Sequence, residues 1–548
     1  MSIVKVIPLG GAGEIGKNCT VLETEDDLIV IDCGLSFPHE EHHGVDIVVP
    51  DFAYLHENVK RLRGVFITHA HEDHVGALAF FCREFKIPIY CTAFAEAMVR
   101  SKLEERIKLL DVDIRPLRTG KQVEVGSLTV EPIHVTHSIP ESCALAIHTP
   151  LGVVLFTGDF KFDMAPVDGK LTDIQRLNEL GDEGVLLLLS DSTNIDRPGW
   201  GPSESEVSHG LKDIFSKAPG RVLVTMFSSN IHRMQQVADA ARATGRKFSI
   251  CGRRMDQVAQ IAMNLGYLRV PADQYVPIEE AREIPPEQIA ILVTGSQAEE
   301  NAALSQMSRG EYSRMQVFKG DTIIYSARPI PGNEGPIWRT INRLVELGAE
   351  VIHDYRLPVH SSGHAYQEEI KLMLRLTRPF YVAPVHGEPR HQKIFREMLA
   401  ELGHSLHRVF TLSNGDELTI DDRQAWITGR VAWGERLIDQ KANQVVNDTV
   451  LRQRSQLATD GVVVVSVVLN PRLGTFESKP EARVQGLVAE AEQIEDVLDD
   501  VVRSLGRMKP HEMKSANYVE GAIFEIVKHA TWKHCRQRPV IVPVVSVV

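Results

Sequence analysis

Short, continuous apolar runs at 28–31, 65–68, 153–157 and 185–189 each lead into polar or ionisable side chains. Runs of that length, apolar at every position, predict strands buried on both faces with their chemistry at the strand ends. A helical pattern at 75–85 lies between two of them, so the first part of the chain predicts a sheet covered by helices. From about residue 203 the rhythm becomes regular. Strand-like 222–226, 289–293 and 322–325 alternate with helical 231–243, 256–265 and 338–347, which predicts a small parallel α/β domain.

After this second domain, 380–382 leads to a histidine in the manner of the first strands. The recurrence predicts an insertion, with the chain returning to complete its first fold. A polar segment, 439–460, then reads as a linker. It precedes a last unit of strand-like 461–469, helices 488–505 and 516–534, and strand-like 540–548.

A chain of 548 residues is long enough for two or three such cores. The 43% hydrophobic and 24% charged residues suit a globular protein, and no apolar run is long enough to cross a bilayer. Neither a basic leader nor an apolar signal core is visible. Seven cysteines without a C-x-x-C argue against a disulfide framework or a thiolate metal site, and the cytoplasm is the expected compartment. The net charge of −13 does not exclude a nucleic-acid substrate, because that binding is local. Between Thr225 and Gln260 six basic residues (Arg233, Arg242, Arg246, Lys247, Arg253, Arg254) face two acidic ones, a candidate basic stripe.

Near the N-terminus, Gly11-Ala-Gly13-Glu-Ile-Gly16 fits G-x-G-x-x-G, with Asp32 near the distance of a ribose-binding acid. A dinucleotide site needs a helix at those glycines. The β-forming residues 18–23 follow instead, so a tight hairpin is expected.

His69-Ala-His71-Glu-Asp73-His74 is the most informative string. It sets four metal-capable side chains on one strand-end loop, and imidazole with carboxylate is the ligand chemistry of a divalent hydrolytic metal. A merely solvated loop would have to gather three histidines and two acids in six residues by chance. This string resembles the H-x-H-x-D-H signature of the metallo-β-lactamase superfamily. The resemblance implies further ligands His137 (with His134 as a competing candidate), Asp159 and His386. His69, His71 and His137 would hold one metal, Asp73, His74 and His386 another, and Asp159 would bridge. Two divalent ions are implied, zinc first and manganese or magnesium as the other candidates. Such a pair, about 3.5–4 Å apart, would activate a hydroxide for in-line attack on a phosphodiester.

The string Leu189-Ser-Asp191-Ser-Thr-Asn194, the string Ser361-Ser362-Gly363-His364-Ala365 and the residues around His386 resemble the three motifs of the β-CASP nucleases. Within that group, residues 9–18, 227–233, 293–297 and 326–334 look like the ribonuclease J family, and the likeness runs nearly the full length. It implies an α/β protein: a metallo-β-lactamase αββα sandwich with an inserted β-CASP α/β domain and a small C-terminal α/β domain used in dimerisation. The expected divisions are 1–208, the insertion 209–354, the completion 355–438, the linker 439–460 and the tail 461–548.

The implied activity is 5′→3′ exoribonuclease with endoribonuclease action on single-stranded, 5′-monophosphorylated RNA, in RNA decay and rRNA or mRNA maturation. The protein is expected as a homodimer or larger homo-oligomer, with partners in a degradation complex and no membrane association. Asp73 or Asp159 would orient the nucleophile, and His364 would meet the scissile phosphate and protonate the leaving oxygen. Asp191 would orient a ligand. Ser228, Ser229, Asn230, His232, His360, Ser361, Ser362 and Gly363 are the candidates for holding substrate phosphate, with Gly363 allowing backbone N–H groups close to it. RNA would enter along the basic stripe, with few stacking contacts since aromatics are 6%. Asp46 and Asp448 are candidates for a further structural cation. A DNA-processing β-CASP nuclease is the alternative.

Overall fold

The structure is a computed structural model that describes residues 2–39, 41–107, 111–330, 332–353, 357–441 and 444–548. The chain divides into two compact units: residues 1–36 with 49–435, and residues 37–48 with 436–548.

The larger unit contains two stacked sheets. One has eight strands in the order Ala425–Arg430, Asp416–Ile420, Val4–Gly10, Cys19–Glu23, Leu28–Ile31, Leu62–Phe66, Ile89–Cys91, Ile114–Pro116. The other has six, in the order Tyr381–Val385, Val185–Asp191, Gly152–Phe156, Cys143–Thr149, Leu128–His134, Val123–Val125. The apolar runs are buried on both faces, and alternation shows how. Leu187 and Leu189 meet Val4, Leu22, Ile29 and Phe66 of the facing sheet. Leu188 points the other way, onto Leu177, Met373 and Phe395 of the helices Ile174–Glu183, Gln367–Thr377 and Pro389–Glu401. The helices Leu78–Glu84 and Ala93–Ile107 pack against each other, and the second also meets the edge strand Ile114–Pro116 of the eight-stranded sheet. The expected helix 75–85 is interrupted at Gly76 and Ala77, giving Glu72–Val75 and Leu78–Glu84.

Between residues 203 and 354 the chain builds its own sheet, five parallel strands in the order Lys247–Cys251, Ile289–Val293, Val222–Thr225, Thr322–Tyr325, Glu350–His353. It then returns. Tyr381–Val385 pairs in parallel with Val185–Asp191, which itself pairs in parallel with Gly152–Phe156. Asp159, Asp191 and His386 therefore emerge at the carboxyl ends of three neighbouring parallel strands, the usual place for a site in such sheets. Asp32 and His69 follow two parallel strands of the facing sheet.

In the smaller unit, Val462–Asn470 pairs with Glu481–Gln485 on one side and Val540–Val547 on the other. Val463, Val465, Val467 and Leu469 pack under the helices Ala491–Leu505 and Ala516–Cys535. The polar segment read as a linker carries the helix Asp448–Asp460, capped by the Asn447 side chain on Val450 N–H. Its hydrophilic residues suit a helix with no fully buried face. Asp46 accepts from the Gln440 N–H, and among the described residues neither Asp46 nor Asp448 joins a group of metal-binding side chains.

Candidate metal centre

The His69–His74 loop is held by main-chain bonds from two sides. Cys33 N–H donates to the His74 carbonyl at 2.8 Å, Leu35 N–H to Glu72 at 3.1 Å and Asn18 N–H to Asp73 at 2.9 Å. Gly34 makes the approach feasible: a Cβ there would lie 1.6 Å from the Asp73 carbonyl oxygen. The glycine-rich N-terminal segment serves the same loop. Val4–Gly10 and Cys19–Glu23 are antiparallel, as a hairpin requires, but the connection is not tight. It runs across to a bridge at Gly387 and presents Asn18, whose Nδ2 lies 3.0 Å from Nε2 of His74.

Two groups of the expected ligands result, each with ligand atoms within 4.8 Å of one another: His69, His71, His137 and Asp159, then Asp73, His74, Asp159 and His386; a third group of donors overlaps them, Asp159 and His386 with Asp191 and His364. Asp159 belongs to all three. His134, the competing candidate, belongs to none and turns toward the Lys170 carbonyl. In the first group, Nδ1 of His71 stands 3.0 Å from Nε2 of His69 and 3.1 Å from Nε2 of His137. The other nitrogens of those two partners are committed. His137 Nδ1 donates to the Gly363 carbonyl at 2.7 Å. His69 Nδ1 meets Thr68 Oγ1 at 3.0 Å, and that hydroxyl donates to Asp32. Bare lone pairs thus converge on one point, which a divalent cation satisfies and a hydrogen-bond network does not. In the second group, Nε2 of His386 is buried without a hydrogen-bond partner, although Asp73 Oδ2 is 3.2 Å away. This donor set fits divalent metal binding.

The charges divide accordingly. Burial, followed by the neighbouring His74, holds His69 well below its ordinary pKa, and burial and His71 do the same to His137. Burial also takes His71 down to about 4. These three imidazoles are neutral lone-pair donors at neutral pH. Burial would lower His74 and His386 too, but carboxylates overrule it. Asp159, Asp32 and Asp73 raise His74 well above its usual value, and Asp159 and Asp73 push His386 up to about 10. Burial opposes ionisation of Asp159, yet His74, His386 and His364 hold its carboxyl well below the carboxylate range. The acids demand positive charge at the second group. Asp32 (φ 59°) and His386 (φ 51°) both adopt the left-handed backbone conformation, which among non-glycine residues gathers at functional sites.

The sequence argued against a ribose role for Asp32 and assigned it no other. Asp32 is wholly buried and accepts from His74 Nδ1 at 2.7 Å and from Thr68 N–H at 2.8 Å, so it orients a ligand and binds no ribose. Asn18, Thr68 and Lys161 were likewise missed. Only the position of Asp32 at the end of an apolar run could have signalled its place.

His364 lies beside both groups. Its Nδ1 donates to Asp191 Oδ2 at 2.8 Å, and its ring stands 5.2 Å from His137 and 5.5 Å from His386. Burial lowers its pKa, but Asp191 and Asp159 reverse that and leave it raised. Asp191 Oδ1 also accepts from Thr193 Oγ1 at 2.7 Å, and that hydroxyl oxygen lies 3.0 Å from the His386 carbonyl and 3.3 Å from His386 Nδ1. Asp191 therefore positions His364 directly and His386 through Thr193.

The other predicted residues fall in two sets. Ser361, Ser362 and Gly363 lie on the loop before His364. Ser362 Oγ accepts from Asn194 Nδ2 at 2.8 Å and from the His364 N–H at 3.3 Å. Gly363 has a steric reason of its own: a Cβ there would come within 2.6 Å of the His137 ring. Ser228 and Ser229 are half-buried in a turn, while the Asn230 side chain caps the helix Ile231–Ala243 by accepting from Arg233 N–H. His232 and His360 are buried, and burial lowers the pKa of each, that of His360 well below its usual value. The basic stripe does not exist as such. Arg233 is wholly buried, Arg246 donates to the carbonyls of Ala218 and Gly220, and Arg254 pairs with Glu72 and Glu105. Helix and strand spacing had set these side chains in one list without showing that they face different ways.

A two-sheet sandwich with helices outside, an inserted parallel α/β domain and these two donor groups define a metallo-hydrolase of the β-CASP kind. The chain matches the metallo-β-lactamase superfamily over residues 12–208 and the ribonuclease J β-CASP domain over 219–344. It also matches the Zn-dependent metallo-hydrolase RNA specificity domain over 355–412 and the ribonuclease J C-terminal domain over 449–548. It is 42% identical to ribonuclease J of Synechocystis over 487 residues, which is 88% of this chain and 76% of that one. It is 36% identical to ribonuclease J 1 of Streptococcus pyogenes (99% and 97% covered) and 37% identical to ribonuclease J of Thermus thermophilus (99% and 95%). The chain belongs to the ribonuclease J family and is a metal-dependent ribonuclease. Among the described residues, no helix is long and apolar enough to cross a membrane.

Proposed function

We propose that the chain degrades single-stranded RNA from 5′-monophosphate ends in the 5′→3′ direction, with two divalent ions per subunit. The observation carrying this reading is the sharing of Asp159 between two converging donor groups, with His364 alongside. His69, His71 and His137 would hold one ion, and Asp73, His74 and His386 the other. Bound there, divalent ions supply a hydroxide at neutral pH and offset phosphate charge. Zinc suits the donors best, and manganese or magnesium fit the carboxylate-bearing group.

The protein's own residues do the rest. Asp73 and Asp159, both ionised, orient the nucleophile. His364, doubly protonated while Asp191 takes its Nδ1 proton in a hydrogen bond, offers Nε2–H to the scissile phosphate and to the departing 3′-oxygen. Ser228, Ser229, His232, His360 and the Ser361–Gly363 loop hold the terminal phosphate, while Asn230 shapes the turn. Endonucleolytic cuts, known for the family, use the same centre. We assign residues 1–208 and 355–438 to the catalytic domain, 209–354 to the insertion, 439–460 to a helical connector and 461–548 to dimerisation. The seven free cysteines support a cytoplasmic setting, with decay or maturation of rRNA and mRNA as the role and other degradation proteins as partners.

The test is to incubate the protein with 5′-monophosphate and 5′-triphosphate RNA and with DNA of the same sequence, varying the metal. Mononucleotide release chiefly from monophosphate RNA supports the reading. Preference for DNA, or equal use of both RNA ends, overturns it.

A further inference from the structure

We propose that Glu204 and Arg233 form a buried positioning pair that sets the 359–364 segment, and with it His364, against the metal-ligand loops. Arg233 lies on the helix Ile231–Ala243 of the inserted domain and is wholly buried. Its guanidinium donates to Glu204 Oε2 at 2.8 Å, to the Val359 carbonyl at 2.8 Å, to Gln236 Oε1 at 2.6 Å and to Ser326 Oγ. Ser326 Oγ in turn donates to the same Val359 carbonyl at 2.6 Å. The strand of chain entering the His364 loop is thus gripped from the inserted domain.

A second grip comes from the metal side. Lys161, also buried, donates to Ser361 Oγ at 3.0 Å and pairs with Asp163 at 3.1 Å, while Glu204 lies 3.9 Å away. It stands two residues after Asp159, and its N–H donates to the carbonyl of Thr136, next to His137. Ser361 Oγ donates onward to the Pro202 carbonyl at 2.6 Å. One connected set of bonds therefore joins the Asp159 loop, the His137 loop, the His364 loop and the inserted domain. Burial would keep Glu204 protonated, but Arg233 and Lys161 hold its pKa below the usual value, so the pair is ionic.

Stability alone does not account for such a pair. Desolvating two charges is costly, and apolar side chains of similar volume generally fold as well. What apolar residues lack is the planar fork that addresses Val359, Ser326 and Glu204 together, and lysine lacks it too. Because the inference rests on His364 acting at the scissile phosphate, its test includes a readout independent of that role.

Arg233→Lys, Glu204→Gln and the double variant Arg233→Met/Glu204→Met are compared with the parent in the full chain. Thermal melting, metal content, kcat and KM on RNA, and amide hydrogen exchange over 359–364 are measured. Folded variants with unchanged metal content and KM, kcat lowered at least about tenfold, and faster exchange at Ser362 to His364 are expected. The double variant should melt near the parent temperature and still be slow. A folded variant with parental kcat and exchange overturns the inference, as does a rise in KM with kcat intact or a loss matching the unfolded fraction. His364→Ala is assayed in parallel. If it stays active, the role of His364 fails, while the exchange result still decides the positioning.

Discussion

The Gly363 carbonyl accepts a hydrogen bond from His137 Nδ1 at 2.7 Å, joining a histidine of the first donor group to a loop 226 residues further along the chain. That bond fixes which nitrogen of His137 faces His71 and His69. A methyl group at 363 would meet the imidazole at 2.6 Å, so one of the two must move. Gly363→Ala should fold, because the loop's other anchors at Val359 and Ser361 remain. It should lose metal affinity and activity by about 10–100-fold, the usual cost of disturbing a ligand's outer partner. Metal analysis after dialysis, alongside kcat, checks this. Parental metal retention with parental kcat would refute it.

In the proposed mechanism His364 acts through proton donation and contact with phosphate, not through the fold. His364→Ala is expected to reduce single-turnover cleavage by about 10²–10⁴-fold with RNA affinity little changed. Asp191→Asn should give a similar but smaller loss, because it leaves the ring in place with a weaker partner. Rapid-quench measurement at saturating enzyme separates these effects from binding, and near-normal cleavage by His364→Ala would end the general-acid assignment.

Stability toward acid should depend on Glu131. Hydrogen bonds from Arg176, at 2.7 and 3.0 Å, with help from Gln122 and His148, hold its carboxyl down at about 2. A depressed folded pKa stabilises the fold above the unfolded carboxyl value, and that stability is lost as pH falls through the folded value. Glu131→Gln should therefore lower stability by about 1.5–3 kcal/mol at pH 7. The gap to the parent should begin to close below about pH 4.5 and nearly vanish close to pH 2. Urea melts at several pH values test this, and a gap that widens toward acid contradicts it.

How much of this was legible in advance follows from which interactions are local. The helix Ile231–Ala243 and the strands Ile289–Val293 and Thr322–Tyr325 stand where periodicity set them, because their burial pattern is written in consecutive residues. The His69–His74 quartet was legible for the same reason, and His137, Asp159 and His386 became so through motif order. Asp32 was not, since its partner His74 is 42 residues away and its meaning depends on two strands lying in parallel. Arg233 was read as surface charge because a lone basic residue on a helix carries no sign of Glu204 or Val359. The missed residues act on ligands from behind, through contacts that only the folded chain creates.

The last prediction follows from the dissolved basic stripe. Arg246 is buried, and its guanidinium donates to the carbonyls of Gly220 at 2.7 Å and Ala218 at 2.8 Å, closing the start of the strand Val222–Thr225. Removing it leaves those acceptors unpaired, at about 1–3 kcal/mol each at most. Arg246→Ala should thus lower the melting temperature while leaving the salt dependence of RNA binding unchanged, since it neutralises no phosphate. Arg242 and Arg253 are exposed on the same domain, and either could touch RNA without stabilising the fold. If Arg242→Ala or Arg253→Ala flattens the salt slope by about one charge, that residue lies on the RNA path. If Arg246→Ala flattens it with stability unchanged, the buried role assigned to Arg246 is wrong and the stripe must be restored.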